Sequence, residues 1–477
     1  VDMAVTSDTS KRGFMWRVHQ NAAFQANNST RPLLQLAGLL GENQADRNAQ
    51  GCAVGLGTAG ANNQMAIQFE VDWPVNMSPN GVALGSFIDD GVMPGIPGTT
   101  GGEDGIAGEV VTYITLPVGK HTFTVQSDDG FRTTAGHVND VFKAEVAADS
   151  FGAVANTSFN VYVQDAGTYA FRTVWEEGAG DAYLEWSSLL ANGTTRVLLN
   201  DTDGGGLATY RATTTQMPAA ITLVSPMPNA SGVDFDAPVI VAIQDGQTAV
   251  DAGSVQLTLD GSVVSVTPTK AGNVTTVNYQ PPAYFASGSQ HTASIAFTAG
   301  GVSRTETWQF TVATYPMLTS AHQAVSVDTS KPGFIWNVFQ NETYAPNSLA
   351  SCELALAGQL TATGSTTPLE NQADPNAMGY ALGTGVKVGA VYKFEMPDVI
   401  NLSQTDGTAL GYFTPDDPMP GIPGTGATAP TDGIDAELIS FVELPAGVIT
   451  LGVRSDDSFR MQAGYSTRSS PTARASC

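Results

Sequence analysis

Cysteine, histidine and positive charge are all scarce in this chain of 477 residues. The three cysteines, Cys52, Cys352 and Cys477, cannot form a disulfide framework, and their odd number leaves at least one thiol unpaired within a monomer. We interpret them as incidental thiols rather than as disulfide partners or metal ligands. The five histidines lie in none of the familiar hydrolase or metalloprotease motifs, so the sequence predicts a protein that is not an enzyme.

The shortage of basic residues also limits the partners. Asp and Glu number 45 against 20 Lys and Arg, which gives a formal net charge of -25. A nucleic-acid partner is excluded on this basis, because binding phosphates needs clustered Lys and Arg, and an anionic membrane surface is disfavoured for the same reason. The sequence has no apolar run of about 18 residues, so no membrane insertion is predicted. Its start, VDMAVTSDTS, does not resemble a secretory signal, and we expect any signal peptide to have been removed or to lie outside this chain.

What the chain does contain is an internal repeat. Blocks of similar sequence recur 320 to 328 positions apart, and the small differences in offset are what loops of one shared fold allow. The matching blocks are SDTSKRGFMWRV and VDTSKPGFIWNV (7–18, 327–338), ENQAD (42–46, 370–374), MPGIPG (93–98, 419–424), DGI (104–106, 432–434), and VQSDDGFRTTAG and VRSDDSFRMQAG (125–136, 453–464). The same domain is therefore present twice.

Strand patterns dominate both copies and predict an all-β fold. Alternating runs rich in β-branched and aromatic residues are separated by Gly, Pro and Asp turns. They are VVTYITL (110–116), HTFTVQS (121–127), FNVYV (159–163), TYAFRTVW (168–175) and AYLEW (182–186). Helical spacing of Leu and Ala occurs only in LLQLAGLL (33–40) and its match ELALAGQL (353–360), which we predict to be short helices packed on the sheets.

The segment between the copies has a different pattern. From about residue 221 to 313, short strands are punctuated every eight to twelve residues, as in an immunoglobulin-like β-sandwich, and the segment contains no cysteine. It resembles the small spacer domains of secreted bacterial proteins, and we interpret it as a spacer only. The predicted domains are 1–218 for the complete first copy, 219–315 for the spacer and 316–477 for the second copy.

The second copy is predicted to be truncated. After SDDGFR the first copy continues through the strands at 159–186, whereas after SDDSFR the chain has only about seventeen residues left. Its last stretch, STRSSPTARASC, has no strand alternation and is typical of an unrelated tail. Such a sandwich would expose strand edges and apolar core, so we expect it either to be poorly ordered or to borrow strands from another chain.

The order of a strand ending in S-D-D-G-F-R, a later strand AGTYAFRTVWEEG and the closing AYLEW resembles the protective-antigen-type (PA-fourteen) β-sandwich. The match covers about residues 5–190 and, in part, 325–465, and the MPGIPG insertion is similar to a bacterial extracellular subgroup. The resemblance implies two protective-antigen-like sandwiches flanking an immunoglobulin-like one. It also implies a non-catalytic, glycan-binding module of secreted or surface proteins.

In the lectin members of that family, two adjacent acids joined by a cis peptide hold a calcium ion that sugar hydroxyls complete. Carried over by position, the ligands are Asp128 and Asp129 in the first copy and Asp456 and Asp457 in the second. Adjacent carboxylates and loop carbonyls suit the six to eight oxygens that Ca²⁺ prefers. The same four residues are also ordinary turn formers, because an Asp side chain accepts a hydrogen bond from a nearby backbone N–H.

The remaining ligands are open at this stage. Lectin members use a further residue, commonly Asn, on a distant loop, which the sequence does not place; Glu176, Glu177 and Asp181 are candidate neighbours. Four other acids keep their position in both copies and are predicted to cap turns or build a second oxygen-rich loop: Glu42 with Glu370, Asp46 with Asp374, Asp90 with Asp416 and Asp104 with Asp432. Trp16 and Trp336 occupy matched strand positions and are predicted to lie in the core rather than to stack on sugars.

Three functional hypotheses follow. The first is a secreted carbohydrate-binding or adhesive protein, calcium-dependent, which binds a glycan or cell-surface polysaccharide. The second is a structural surface or fibre subunit that self-assembles by strand donation to its truncated copy. The third is the ancillary region of a larger extracellular enzyme acting on glycosides. The sequence names neither the glycan nor the parent protein.

Overall fold

The computed structural model describes residues 6–136, 140–215, 217–324, 326–343, 346–404 and 410–464 of the chain. Within them the protein consists of β-strands with two short helices and one 3-10 turn, so the predicted all-β class is confirmed. The chain divides into two compact units, Val1–Tyr315 and Pro316–Cys477. The first unit contains the first copy of the repeat together with the segment predicted to be a spacer.

The first copy is a sandwich of two sheets. Its strands are β1 (Phe14–Gln20), β2 (Ile67–Val71), β3 (Asn76–Ser78), β4 (Gly91–Val92), β5 (Ile106–Leu116), β6 (Gly119–Asp128), β7 (Phe131–Gly136), β8 (Ala144–Ser150), β9 (Ala155–Val163), β10 (Gly167–Glu177), β11 (Tyr183–Leu189), β12 (Arg196–Leu198) and β13 (Thr209–Tyr210). Sheet I has the order β2-β1-β5-β10-β7-β8, with β13 paired to β5; sheet II has the order β4-β3-β11-β6-β9, with β12 paired to β11.

Alternation of apolar and polar residues places the core between these sheets. In β2, for example, Ile67, Phe69 and Val71 are buried while the intervening residues are exposed, as a strand with one buried face requires. The largest fully buried side chains of the sandwich include Trp16, Phe69, Phe123, Phe171, Trp175 and Trp186. Trp16 lies in this core, as predicted, and its indole N–H donates to the carbonyl of Pro94 at 2.9 Å.

Both helices form where Leu and Ala recur, but they begin and end earlier than predicted: α1 spans Arg31–Leu36 and α2 spans Leu349–Leu356. The reason is the glycine inside each predicted helix. Gly38 has φ 71° and Gly358 has φ 68°, a left-handed conformation that ends a helix. Leu33 and Leu36 of α1 are buried against the outer face of sheet I, which agrees with the predicted packing role.

The segment from 219 to 315 is a second sandwich. Its strands are β14 (Ala220–Ser225), β15 (Ala230–Val233), β16 (Val239–Gln244), β17 (Val250–Leu259), β18 (Ser262–Val264), β19 (Thr269–Ala271), β20 (Val274–Tyr279), β21 (Gln290–Ala299) and β22 (Val302–Val312). One sheet has the order β14-β16-β20-β19 and the other the order β15-β22-β21-β17-β18. They enclose a separate core that includes Val241, Leu257, Ile295 and Phe310.

This sandwich packs directly on the first copy, and its interpretation as a spacer stays a prediction. Ile240 and Ala242 of β16 point away from their own core and form one buried cluster with Leu33 of α1 and Val174 of β10. Beside this cluster, the carboxylate of Asp140 pairs with the guanidinium of Arg304, with one N–O distance of 2.8 Å. Because successive side chains of a strand point to opposite faces, alternate residues of β16 pack into two different cores.

The second copy contains β23 (Phe334–Gln340), α2, β24 (Val386–Val388), β25 (Val391–Met396), β26 (Leu402–Ser403), β27 (Asp417–Pro418) and β28 (Ile434–Ile439). One sheet has the order β24-β25-β23-β28, and β26 pairs with β27. The register is preserved between copies: Met15 of β1 faces Val111 of β5, and Ile335 of β23 faces Ile439 of β28. Residues 440–464 contain no strand.

Candidate metal and ligand site

The predicted pair Asp128 and Asp129 lies where the chain passes from sheet II to sheet I. Asp128 is the last residue of β6, and Asp129 begins the turn that leads into β7. The peptide bond between them is cis. Asp128 is partly exposed, whereas Asp129 is buried. The two carboxylates therefore occupy the rim of the sandwich, one facing outward and one facing inward.

Strand β10 of sheet I holds this turn in place. The backbone N–H of Asp129 donates to the carbonyl of Glu176 at 3.0 Å, and the N–H of Glu176 donates to the carbonyl of Gly130 at 2.9 Å. The indole N–H of Trp175 donates to the carbonyl of Asp128 at 3.0 Å. These contacts hold Asp128 and Asp129 through their backbone groups and do not use their side-chain carboxylates.

Glu177, the last residue of β10, is the third acid of the site. One carboxylate oxygen from each of Asp128, Asp129 and Glu177 lies within 4.8 Å of the others. Glu177 is fully buried, and neither of its carboxylate oxygens has a hydrogen-bond partner among the described residues. Asp129 accepts one bond, from the N–H of Gly178 at 3.0 Å. A buried carboxylate without a partner is unstable as an anion unless a proton or a cation compensates it.

The pKa values of the cluster are raised, which shows that its charged form is disfavoured. Burial, followed by repulsion from Asp129 and Asp128, raises the pKa of Glu177 to about 9. Burial, followed by repulsion from Asp129 and Asp181, raises the pKa of Asp128 to about 6. Without a cation, the cluster therefore holds protons at neutral pH that free carboxylates would have released.

Glu176 takes a different role from its neighbour. One of its oxygens lies 3.1 Å from the Arg31 guanidinium and accepts from the N–H of Asn28 at 3.2 Å. Burial raises its pKa to about 7, although Arg31 opposes that shift. Successive residues of a strand point to opposite faces, so Glu176 and Glu177 are separated by β10 itself. Of the three neighbours suggested by the sequence, Glu177 joins the carboxylate cluster and Asp181 contributes through its charge.

Asn27 is a candidate fourth ligand that the sequence did not identify. Its amide oxygen is buried and has no partner among the described residues. A Cβ built on Gly178 would lie only 2.6 Å from this oxygen, so the amide sits against the backbone next to Glu177. The repeat did contain a signal, because Asn347 occupies the same place 320 positions later. The Asn347 amide donates to Asp457 at 2.8 Å.

These donors fit calcium by their chemistry. All are oxygens, three of them from carboxylates, and hard Ca²⁺ is bound by carboxylate and amide oxygens in flexible geometry. Glu177 and Asn27 present buried oxygens without partners, and Asp128 leaves one side open to solvent. Zinc is less suited, since within this cluster no His or Cys is present.

The second predicted pair is placed differently. Asp456 and Asp457 are exposed and lie in the strandless segment 440–464. The counterparts of β10 and of Glu177 are absent from the described part of this copy, and no third acidic oxygen is grouped with this pair there. A metal at Asp456 and Asp457 therefore remains a prediction.

The cysteines and the second predicted core tryptophan have separate outcomes. Cys52 is a free thiol, and burial raises its pKa to about 12. Cys352 is disulfide-bonded, so the interpretation of all three as incidental thiols is wrong for this residue. Cys477 lies outside the described residues. Trp336 is buried and, like Trp16, donates its indole N–H to a proline carbonyl, here Pro420 at 2.9 Å.

No protein-family model matches the chain, and no curated protein sequence matches it. Solved structures similar to it include the PA14 domain of the antifreeze protein MpAFP, with TM-score 0.24, 15% identity, and coverage of 42% of this chain and 90% of that chain. The PA14 sugar-binding domain of an RTX adhesin has TM-score 0.24, 11% identity, and coverage of 42% and 99%. The Epithelial Adhesin 9 A domain from Candida glabrata, in complex with Galb1-3GlcNAc, has TM-score 0.26, 12% identity, and coverage of 44% and 96%. Among the described residues, no helix is long and apolar enough to cross a membrane.

Proposed function

We propose that the first copy is a calcium-dependent carbohydrate-binding module of a secreted or cell-surface adhesive protein. The observation that carries this proposal is the carboxylate cluster of Asp128, Asp129 and Glu177. It combines two buried acids with one that faces solvent, and Glu177 has no partner among the described residues. Such a site is suited to a cation that is held from the protein side and remains accessible from outside.

Each residue has a distinct task in this site. Glu177 and Asp129 supply inward-facing carboxylates, Asn27 supplies a neutral amide oxygen, and Asp128 forms the outer rim. Bound calcium would supply positive charge and coordination positions that the protein leaves open. Neutral sugar hydroxyls match those positions, because Ca²⁺ accepts six to eight oxygen ligands and the cluster provides fewer.

The composition supports an extracellular glycan partner. The chain carries a formal net charge of -25, which repels nucleic acids and anionic lipids but leaves uncharged saccharides free to approach. The resemblance of S-D-D-G-F-R and its following strands to the protective-antigen-type lectins points to the same class of ligand. Affinity for a single site is expected to be modest, and display at high density on a surface would strengthen attachment.

A glycan array and a polysaccharide pull-down test this proposal, each run with Ca²⁺ and with EDTA. We expect retention that requires calcium and that is lost in Glu177→Gln and in Asp129→Asn. Asp165→Asn, which removes an exposed acid of the same copy, is the matched control and should bind normally. Retention that survives both EDTA and Glu177→Gln would contradict the proposal.

One observation favours a second function, assembly through strand donation. Strand β5 pairs with β1 on one side and with β10 on the other. Its counterpart β28 pairs with β23 on one side, and no described strand covers its other edge. Open edges of this kind accept a strand from another chain. Light scattering over a concentration series tests it, since an assembling subunit would form oligomers that dissociate when 434–464 is deleted.

A further inference from the structure

A row of buried polar side chains crosses the outer face of sheet II. Asn76 of β3 faces Glu185 of β11, and Glu185 faces Gln126 of β6 in the strand register. The exposed fractions are 1% for Asn76, 1% for Glu185 and 5% for Gln126. Residues of this type on an outer face are normally solvated. Something must therefore cover the row.

The cover is the loop of residues 79–90, which joins β3 to β4. The backbone N–H groups of Ser86 and Phe87 donate to the Glu185 carboxylate at 2.9 and 2.8 Å. The loop lies so close that a Cβ on Gly85 would be 2.5 Å from a Glu185 oxygen. At the end of the loop, Asp90 accepts from the N–H of Leu84 at 3.3 Å. Glu185 is thus the anchor of the loop.

Four buried polar atoms of this row and of Asp90 have no hydrogen-bond partner within 3.5 Å among the described residues. They are both amide atoms of Asn76, one carboxylate oxygen of Asp90 and the amide oxygen of Gln126. Burial raises the pKa of Asp90, and weak hydrogen bonding from the side chains of Asn76 and Ser78 opposes that shift, so Asn76 lies beside the Asp90 carboxyl. Buried polar groups are nearly always satisfied by protein, water or an ion. Three of these four atoms are oxygens, one of them from the Asp90 carboxylate, and the Glu185 carboxylate lies between Asn76 and Gln126 in the strand register.

The second copy repeats the same local arrangement. Its β26 and β27 pair in parallel as β3 and β4 do. Asp416 matches Asp90: one of its oxygens accepts from the N–H of Leu410 at 2.9 Å, and the other is buried without a partner among the described residues. The orphaned oxygen is therefore a property of the loop in both copies. In the second copy Arg454, which is exposed and outside any strand, stands at the Gln126 position, and the described part has no counterpart of β11 and so lacks the Glu185 position.

We propose that Asp90, Asn76 and Gln126, next to the Glu185 carboxylate, form a second divalent-cation site of the calcium class, which fastens the loop 79–90 to sheet II. Gln126 precedes Asp128 by two residues on the same strand, so the row lies about 7 Å along β6 from the first site. The loop consequently borders the ligand opening. The cation would fix this border without contacting the glycan.

The test counts bound ions in the full chain by equilibrium dialysis against Ca²⁺, followed by metal analysis. The background is Asp129→Asn, which disables the first site. Adding Asp90→Asn to this background should lower the count by one ion per chain. Adding Asp89→Asn is the matched control and should leave the count unchanged: Asp89 is exposed, and its φ of 69° is well tolerated by Asn.

Hydrogen exchange of the loop provides a second readout. Ca²⁺ should slow exchange of residues 79–90 at least tenfold in the Asp129→Asn background but not after Asp90→Asn is added. If Asp90→Asn does not fold, Asn76→Leu serves instead, since it keeps the side-chain shape and removes the ligand oxygen; it should weaken this site at least tenfold. An unchanged ion count together with calcium-independent exchange would overturn the proposal and assign the orphaned atoms to buried water. Glycan retention, measured separately, would not be affected by that outcome.

Discussion

The two copies of the repeat share one half of the fold and differ in the other. In both, the first strand pairs with the same register to its two neighbours, and a tryptophan on it donates to a proline carbonyl in MPGIPG. Gly95 and Gly421 have φ of 90° and 91° in this loop, and a Cβ on either would lie within 3 Å of a valine, Val18 or Val338. Local sequence is sufficient to specify this half.

The acidic pair behaves differently in the two copies. In the first, β10 and β11 surround the pair and bring Glu177 to it; in the second, the same S-D-D sequence lies exposed and outside any strand. The surrounding segment leaves apolar side chains exposed, among them Phe441, Val442, Leu451 and Phe459. The adjacent aspartates therefore form a cluster with a third acid only where strands distant in sequence bring that acid to them.

The largest contrast is expected from the core tryptophans. Trp16→Ala should destabilise the first copy by about 3–5 kcal/mol, because it opens a cavity in a fully enclosed core. Trp336→Ala should cost less, since the second core is smaller and lacks an opposing second sheet within the described residues. Hydrogen exchange of β1 and β23 in each variant measures both losses in one chain. Equal losses would mean that the second core is as complete as the first.

Next in size is the effect of removing the charge of Glu109, which lies on β5 between two arginines. Glu109 is buried between Arg172, at 2.5 Å, and Arg17, at 2.6 Å, and these guanidinium groups outweigh the raising effect of burial and lower its pKa to about 2. Glu109→Gln should cost about 3 kcal/mol, because it leaves the buried Arg172 and the partly buried Arg17 without their counter-charge.

Its counterpart Glu437 accepts a bond from the neutral Asn337 at 2.9 Å. Glu437 is only partly buried, so solvent screens its charge, and Glu437→Gln is expected to cost only about 1 kcal/mol. Denaturant unfolding followed by hydrogen exchange of β5 and β28 compares the two. A larger effect at Glu437 would show that the second copy carries charge in its interior after all.

Calcium should stabilise the first acidic pair by slightly less than the cost of Glu109→Gln and leave the second pair unaffected. At a hundredfold excess over Kd, a ligand bound only to the native state adds about 2.7 kcal/mol. We expect this increment as added exchange protection at the turn 126–131 and its absence in Asp129→Asn. Asp457→Asn should retain it in full. If Asp457→Asn lost as much calcium-dependent protection as Asp129→Asn, the second pair would contribute to calcium binding as the first does.

The smallest effect is a pH dependence of the metal-free protein. Glu177 and Asp128 have folded pKa values of about 9 and about 6, above those of unfolded carboxyls. Their contribution is thus fully present at low pH and is lost as pH rises from about 4 towards 9. Among the described residues of the second copy, burial raises the pKa of Asp435 to about 6.

Between about pH 7 and 8 only the first copy should therefore lose stability, by about 1 kcal/mol. Thermal unfolding in EDTA, with exchange resolved by copy, checks this. Added Ca²⁺ should remove the decline, because metal binding releases these protons. A decline of equal size in the second copy over that interval would exclude Glu177 as its source.

The sequence predicted the all-β class, the repeat and the strands because alternation is a local property. It also predicted both helices, although it missed that Gly38 and Gly358 end them in the left-handed conformation. It could not choose between Glu176 and Glu177, since adjacent residues of a strand differ only in the face they occupy. That choice depends on which face of β10 meets Arg31.

Long-range contacts account for the remaining differences. Asn27 lies against Gly178, beside Glu177, through a contact between segments distant in sequence, although its repetition as Asn347 was visible in the sequence. The packing of the immunoglobulin-like sandwich depends on Ile240 and Ala242, whose outward direction in β16 shows only once the other face is known to be core. A short run of consecutive apolar residues, as in β16, does not show by itself which residues face which core.

The contact between α1 and the sheet of β16 has a mechanical consequence. Tension applied to the immunoglobulin-like sandwich reaches the first sandwich through interlocked side chains and the Asp140–Arg304 bridge, with no slack tether to extend first. The rim that carries Asp128 therefore keeps a fixed orientation relative to the immunoglobulin-like sandwich. For the function proposed above, such a mounting would make a sideways load act on both sandwiches together.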